Sequence, residues 1–235
     1  MTMLRATIGA EWIKLWTTRT VWWALTAALV LMAAGAGQYA LYAENGDIDQ
    51  TGAGEIAVLG LSFAQLAFLA LATIVMTSEY STGTMRATLT WTPVRSRLLL
   101  AKSAVIAGVT LVAGTVAGFV GVAVAAPILG NSSMGAVAPK MGLYLALLGV
   151  FAVGLGAALR GPVVSLVVLL MLVVVVPPLL QVPDLAVLNT IADALPGVAG
   201  QRFLLENSYG GLVIVAAWAT AAFLIGARVL RRRDA

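Results

Sequence analysis

Among the residue types that carry chemistry, two are missing: the 235-residue chain has no His and no Cys. That removes the imidazole base and proton relay, the commonest zinc ligand, the thiolate nucleophile and any disulfide framework. The remaining nucleophiles and acids do not fall into catalytic spacings. Lys102-Ser103 follows Leu100 and Ala101 rather than a glycine turn, so there is no phosphate-cradling loop. A Gly-x-Ser-x-Gly elbow is absent too. The chain therefore has no means of hydrolysing ATP or cleaving a peptide unaided. Its polar side chains fall into three sets. The first, near the N-terminus, holds Arg5, Glu11, Lys14 and Arg19; the second, between residues 78 and 102, holds Glu79, Arg86, Arg95, Arg97 and Lys102. The third is Gln38, Ser62, Gln65 and Thr73, set in apolar surroundings. For each of these four an interhelical hydrogen bond is the default reading and a place on a substrate pathway the alternative.

The elements that position these residues follow from composition. Hydrophobic residues make up 61% of the chain and charged ones 10%, against about 45–50% and about 25% in an ordinary soluble domain. With a mean hydropathy of +0.99 there is too little polar surface to cover a water-soluble globule. A soluble enzyme, a disordered tail and a nucleic-acid-binding domain are excluded; an all-α membrane protein is indicated. Runs at 21–41, 56–77, 98–126, 141–159, 162–180 and 211–230 reach the roughly 20 residues that a spanning helix needs. The fifth contains a Val-rich stretch, but an open sheet would leave backbone donors unsatisfied in lipid, so it too is read as a helix. Pro177-Pro178 should end or kink it. Residues 1–235 form one transmembrane domain on this reading.

Orientation follows from the placement of Lys and Arg. With both termini cytoplasmic, twelve of the fourteen basic residues lie inside and only Lys140 and Arg202 outside, whereas seven of the ten acids lie outside. The net +4 thus separates into +9 within and −5 without. The stretches 22–40, 56–77, 103–126, 141–159, 163–180 and 211–227 within the spans carry no charge. That weighs against a proton-driven carrier, though not against sodium held by backbone carbonyls.

Between the spans, residues 1–20 place Leu4, Ile8, Trp12, Leu15 and Trp16 at helical spacing, which predicts an amphipathic interfacial helix. It serves either as an anchor or as a lever between a partner and the first span. In the loop from 78 to 97, Thr82-Gly83-Thr84 reads as a helix start, residues 85–90 give about two turns and Pro93 ends them. Met85, Leu89 and Trp91 expose apolar surface beside Arg86; a solvated positive loop explains the arginines, and a docking element also explains the apolar residues. The third span, at 29 residues, measures roughly 43 Å and must tilt or project beyond the membrane. Gly114–Gly118, Ala33–Gly37 and Ala152–Gly156 are small-residue pairs suited to close internal packing, with a dimer interface as the alternative. Residues 181–210 predict two short helices broken at Pro196-Gly197, partly re-entrant from the outside, with a plain surface loop as the alternative.

Taken in order, these parts resemble the permease subunits of type-2 ABC exporters, particularly short bacterial six-span members. The resemblance rests on Glu11-Trp12-Ile13-Lys14-Leu15, on the segment from Glu79-Tyr80-Ser81-Thr82-Gly83-Thr84 through Pro93 and Arg97 to Lys102, and on the terminal Arg231-Arg232-Arg233-Asp234-Ala235. It implies that the loop is a coupling helix resting on an ATP-binding subunit. Glu79, Gly83, Thr84, Met85, Arg86, Leu89, Trp91, Pro93, Arg95, Arg97 and Lys102 would frame that contact, and Glu11, Trp12, Lys14, Leu15 and Trp16 would form a connecting helix beside it. It further implies two ATP-binding subunits supplying ATP and Mg, no cofactor in this chain, a second permease copy, identical or related, contact with membrane lipid, and a bacterial cell membrane. The excess of Arg over Lys, eleven to three, also hints at a GC-rich bacterium. An ATP-independent carrier or channel, and a non-transporting assembly or signalling protein, are the rival readings.

Overall fold

A computed structural model describes residues 2–49, 52–81, 83, 95–130 and 137–232. All regular structure among them is helical. In chain order the helices are α1 Thr2–Thr17, α2 Arg19–Glu44, α3 Ala53–Ser81, α4 Arg95–Leu129, α5 Val137–Leu159, α6 Pro162–Gln181, α7 Ala186–Asp193, α8 Pro196–Leu205 and α9 Tyr209–Arg232. Six of them, α2 to α6 and α9, are long and apolar enough to cross a membrane. They match the six predicted runs but extend past them at most ends, because the helix ladder continues into polar residues that hydropathy excludes. The longest is α4, at 35 residues, which begins at Arg95 rather than 98.

The loop-helix positions Thr84, Met85, Arg86, Leu89, Trp91 and Pro93 lie outside the described residues, as do Arg233, Asp234 and Ala235.

The bundle is built around α5, the most buried span, and is closed by glycine contacts. A Cβ on Gly60 of α3 would sit 2.7 Å from the backbone nitrogen of Ala36 in α2. On Gly118 of α4 it would meet Ala138 of α5 at 2.7 Å, and on Gly154 of α5 it would meet Ala222 of α9 at 2.5 Å. Real Cβ atoms do not approach so closely, so these positions set the interaxial distances through van der Waals packing, the main attraction between helices in an apolar medium. Gly114–Gly118 therefore serves internal packing, and Gly156 likewise faces Met76 and Thr77 of α3.

Two local features depart from the sequence expectation. Helix α6 does not end at its prolines. Instead a π turn at Met171–Val175 precedes them and the helix runs on to Gln181. Pro177 and Pro178 can donate no hydrogen bond to the Val173 carbonyl, whether from the i+4 or the i+5 position, and a wider turn relieves the ring clash. Helix α8 approaches at this carbonyl: a Cβ on Gly197 would lie 2.0 Å from Val173 O, so only glycine fits. The second feature is the break between α7 and α8. It falls at Ala194-Leu195, one step before the expected Pro196-Gly197, because Pro196 occupies the first turn of α8, where its missing N–H costs nothing. Helix α8 buries Pro196, Gly197, Ala199, Gly200, Phe203 and Leu204 within the bundle, whereas α7 leaves Val187 and Ile191 exposed.

Candidate functional site

Four charged side chains meet where α1, α3 and α4 converge. The Lys102 ammonium, in the second turn of α4, donates to Glu11 Oε2 of α1 at 2.6 Å and to Glu79 Oε1 of α3 at 2.6 Å. Lys14, one turn along α1 from Glu11, donates to the same Glu79 oxygen. Lys102 and Glu79 are 1% and 2% exposed, Glu11 is buried, and Lys14 is half-exposed. Two acids and two bases balance. A buried charge is tolerated only when paired with good geometry, and removing one partner strands the others. Lys102 is thus a pin through three helices, fixed to residues 91 and 23 positions away.

Helix α1 differs from its predicted form. Leu15 is buried and Ile8 and Trp16 pack against the core, as the spacing implies. But Glu11 shares that buried face, while Trp12 and Ile13 are 46% and 65% exposed. The helix is not cleanly polar outside and apolar inside, because Lys102 draws a carboxylate into its packed face. The turn into α2 is stitched by the hydroxyls of Thr17 and Thr18, both donating to the Lys14 carbonyl, and by Trp22 Nε1 donating to Trp16 O at 3.3 Å. The Trp16 ring lies 5.5 Å from that of Trp12 and 5.0 Å from that of Trp22.

The stems of the 82–94 loop are each tied to other elements. On the α3 side, next to Glu79, the Arg160 guanidinium lies 5.5 Å from the centre of the Tyr80 ring. Gly83 follows the helix end at φ +69° with nothing within 4 Å of a Cβ, so it is required for its left-handed backbone and not for space. On the α4 side, Arg95 Nη1 donates to the Leu230 carbonyl near the end of α9 at 2.8 Å. Arg97 is exposed.

Comparison with known proteins is decisive here. The sequence profile described as ABC-2 family transporter protein matches residues 7–182, three quarters of the chain, including all four members of the charged junction. The chain belongs to the ABC-2 transporter family. No curated relative matches it. As an ABC-2 permease with six apolar helices it is a multi-pass membrane protein and a transport component of a kind that is generally not itself catalytic; the family implies a separate ATP-binding subunit.

Within this ABC-2 permease the polar residues of the spans fare differently. Thr73 spends its hydroxyl on the Leu69 carbonyl of its own helix at 2.7 Å, and Thr77 does the same toward Thr73. Such back-bonding hides the group, so the interhelical bond expected of Thr73 is replaced by an intrahelical one. Gln38 faces outward from α2, its amide donating to the Tyr42 hydroxyl at 2.8 Å. Ser62 and Gln65, by contrast, come together with α5, α6 and α8. The Tyr144 hydroxyl of α5 donates to Gln65 Oε1 at 3.3 Å, and Ser62, Val173, Gly197 and Gln201 line the same small pocket, about 20 Å³.

Sequence reasoning selected Glu11, Lys14, Glu79 and Lys102 individually but assigned Glu79 and Lys102 to a docking surface. Both are buried inside the chain, so their charge is directed at α1 rather than outward. The signal was present for Lys102: it lies on the face of Leu98, Leu99, Val105 and Ile106, all buried. Tyr144, Arg160 and Gly197 were missed, because each acts through a partner distant in sequence.

Proposed function

We propose that this chain is the membrane-spanning subunit of an ATP-driven exporter in a bacterial cell membrane, with both termini cytoplasmic. Two copies, or this chain and a related one, enclose the pathway, and two ATP-binding subunits dock below at the 82–94 loop and α1. The observation that carries the reading is the charged junction. It links the stem of the loop to α1 and α4 through ionic contacts buried at the end of the bundle that carries the positive excess. A push on the loop would reach α1 through Glu79, Lys14 and Lys102, and reach α9 through Arg95. The residues of the loop then divide by role: Met85, Arg86, Leu89 and Trp91 touch the partner, while Glu79, Gly83, Arg95 and Lys102 hold the loop in place.

The second permease copy is assigned to the outward face of α2, where Ala33, Ala34, Gly37 and Gln38 line an open groove. Small residues there permit close approach of another helix, and Gln38 would then face the pathway. The polar pocket of Ser62, Gln65 and Tyr144 joins α8 to the spans at the opposite end, where it would couple the re-entrant helix to their movement. The test is ATP hydrolysis by the reconstituted complex across a substrate panel. Stimulation by one compound class is expected, and a complex whose hydrolysis responds to none, with no transported species, would count against export.

A further inference from the structure

A cleft of about 140 Å³ opens beside the charged junction, between α1, the start of α2, and α3. An engineered apolar cavity of about 150 Å³ accommodates benzene, so the space suits a short length of hydrocarbon rather than a large molecule. Its lining has a direction. On α3, Leu71, Ile74, Val75 and Ser78 follow the i, i+3, i+4, i+7 stripe and extend about 10 Å along the helix. The polar end holds Ser78, Thr18 and Lys14, and the apolar end holds Leu71 and Val75. Ile74 is 37% exposed, so the apolar end opens sideways toward the surroundings of the bundle.

Charge makes the polar end selective. Lys102 is buried and gives two of its three donors to carboxylates, but Lys14 is half-exposed and gives one to Glu79, leaving two. The one acidic lining residue, Glu11, is paired with Lys102, so the charge left open at the polar end is that of Lys14. The rim therefore favours an anionic head. We propose that this cleft is a phospholipid site, in which Lys14 holds the phosphodiester and one acyl chain lies along Leu71, Ile74 and Val75. The inference rests on the membrane placement of the family and not on coupling to ATP. Because the lipid would touch the side chain that pairs with Glu79, its occupancy bears directly on the stem of the loop.

The test uses the full chain in phosphatidylcholine nanodiscs containing a phosphatidylglycerol with a diazirine in its acyl chain. Photolabelling should concentrate on peptides covering residues 15–21 and 71–78, above the level on the outward face of α6 at Val163 and Val167. Lys14→Gln should lower that labelling about tenfold, the weight of one charge-assisted hydrogen bond. Val75→Trp, which fills the cleft, should abolish it, and should Val75→Trp not fold, Lys14→Gln decides. Lysophosphatidylglycerol should compete and inorganic phosphate should not. Labelling no greater than on α6, labelling unchanged by Lys14→Gln, or competition by phosphate alone would each overturn the proposal. A chain that binds lipid as stated yet recruits no ATP-binding subunit would leave this site standing and remove the exporter reading.

Discussion

At the residue scale Lys102 matters most. Truncation by Lys102→Ala leaves Glu11 and Glu79 buried without their shared cation, a change that costs about 3–5 kcal/mol in comparable buried networks. A large fall in the thermal midpoint of the detergent-purified protein is expected. Combining Lys102→Met with Glu79→Gln and Glu11→Gln removes the charges together and should restore most of that loss; no recovery would mean that the ion pairs are not what Lys102 supplies. Lys14 is screened by solvent, and its removal should disturb stability much less. This junction was half legible in the sequence. The four residue types stand out in an apolar chain, and the helical spacing of Lys102 places it on a packed face. That Glu11 reaches it across 91 residues is a tertiary fact, invisible to any local pattern. Thr73 shows the reverse, since a hydroxyl in a span can always turn back to its own helix, and sequence does not say which it will choose.

At the element scale the glycines set the packing and can be tested in contrast. Gly154→Ala would drive a methyl into the backbone of α9 at Ala222 and Phe223, and overpacking of this kind costs about 1–3 kcal/mol. Gly108, in the same kind of helix interior, has nothing within 4 Å of a Cβ, so Gly108→Ala should be neutral or gain about 0.5–1 kcal/mol. Thermal midpoints moving in opposite directions would confirm that α5 and α9 are spaced by glycine contact; equal shifts would refute it. All six spans were legible because each needs an uninterrupted apolar run. Their ends were not, since helices continue into charged residues, as α4 does to Arg95. The π turn of α6 was also hidden. Two adjacent prolines announce a disturbance, but whether the helix stops or widens depends on what packs against it, here Gly197 of α8.

At the scale of the whole molecule the distribution of charge and the absence of a phosphate loop point the same way. The ABC-2 family implies a separate ATP-binding subunit, and in the proposed orientation, with +9 on the cytoplasmic side, the 82–94 loop is where the junction and the Arg95 tie would direct force. The most direct measurement is co-purification of the ATP-binding subunit with affinity-tagged full-length chain, comparing the native sequence with Leu89→Asp and with Arg86→Glu. The native chain is expected to show no ATPase activity alone and to bring down the subunit with its hydrolysis. Both variants should lose most of it while eluting as folded membrane protein. Unchanged capture in both variants, or transport by this chain alone, would contradict it.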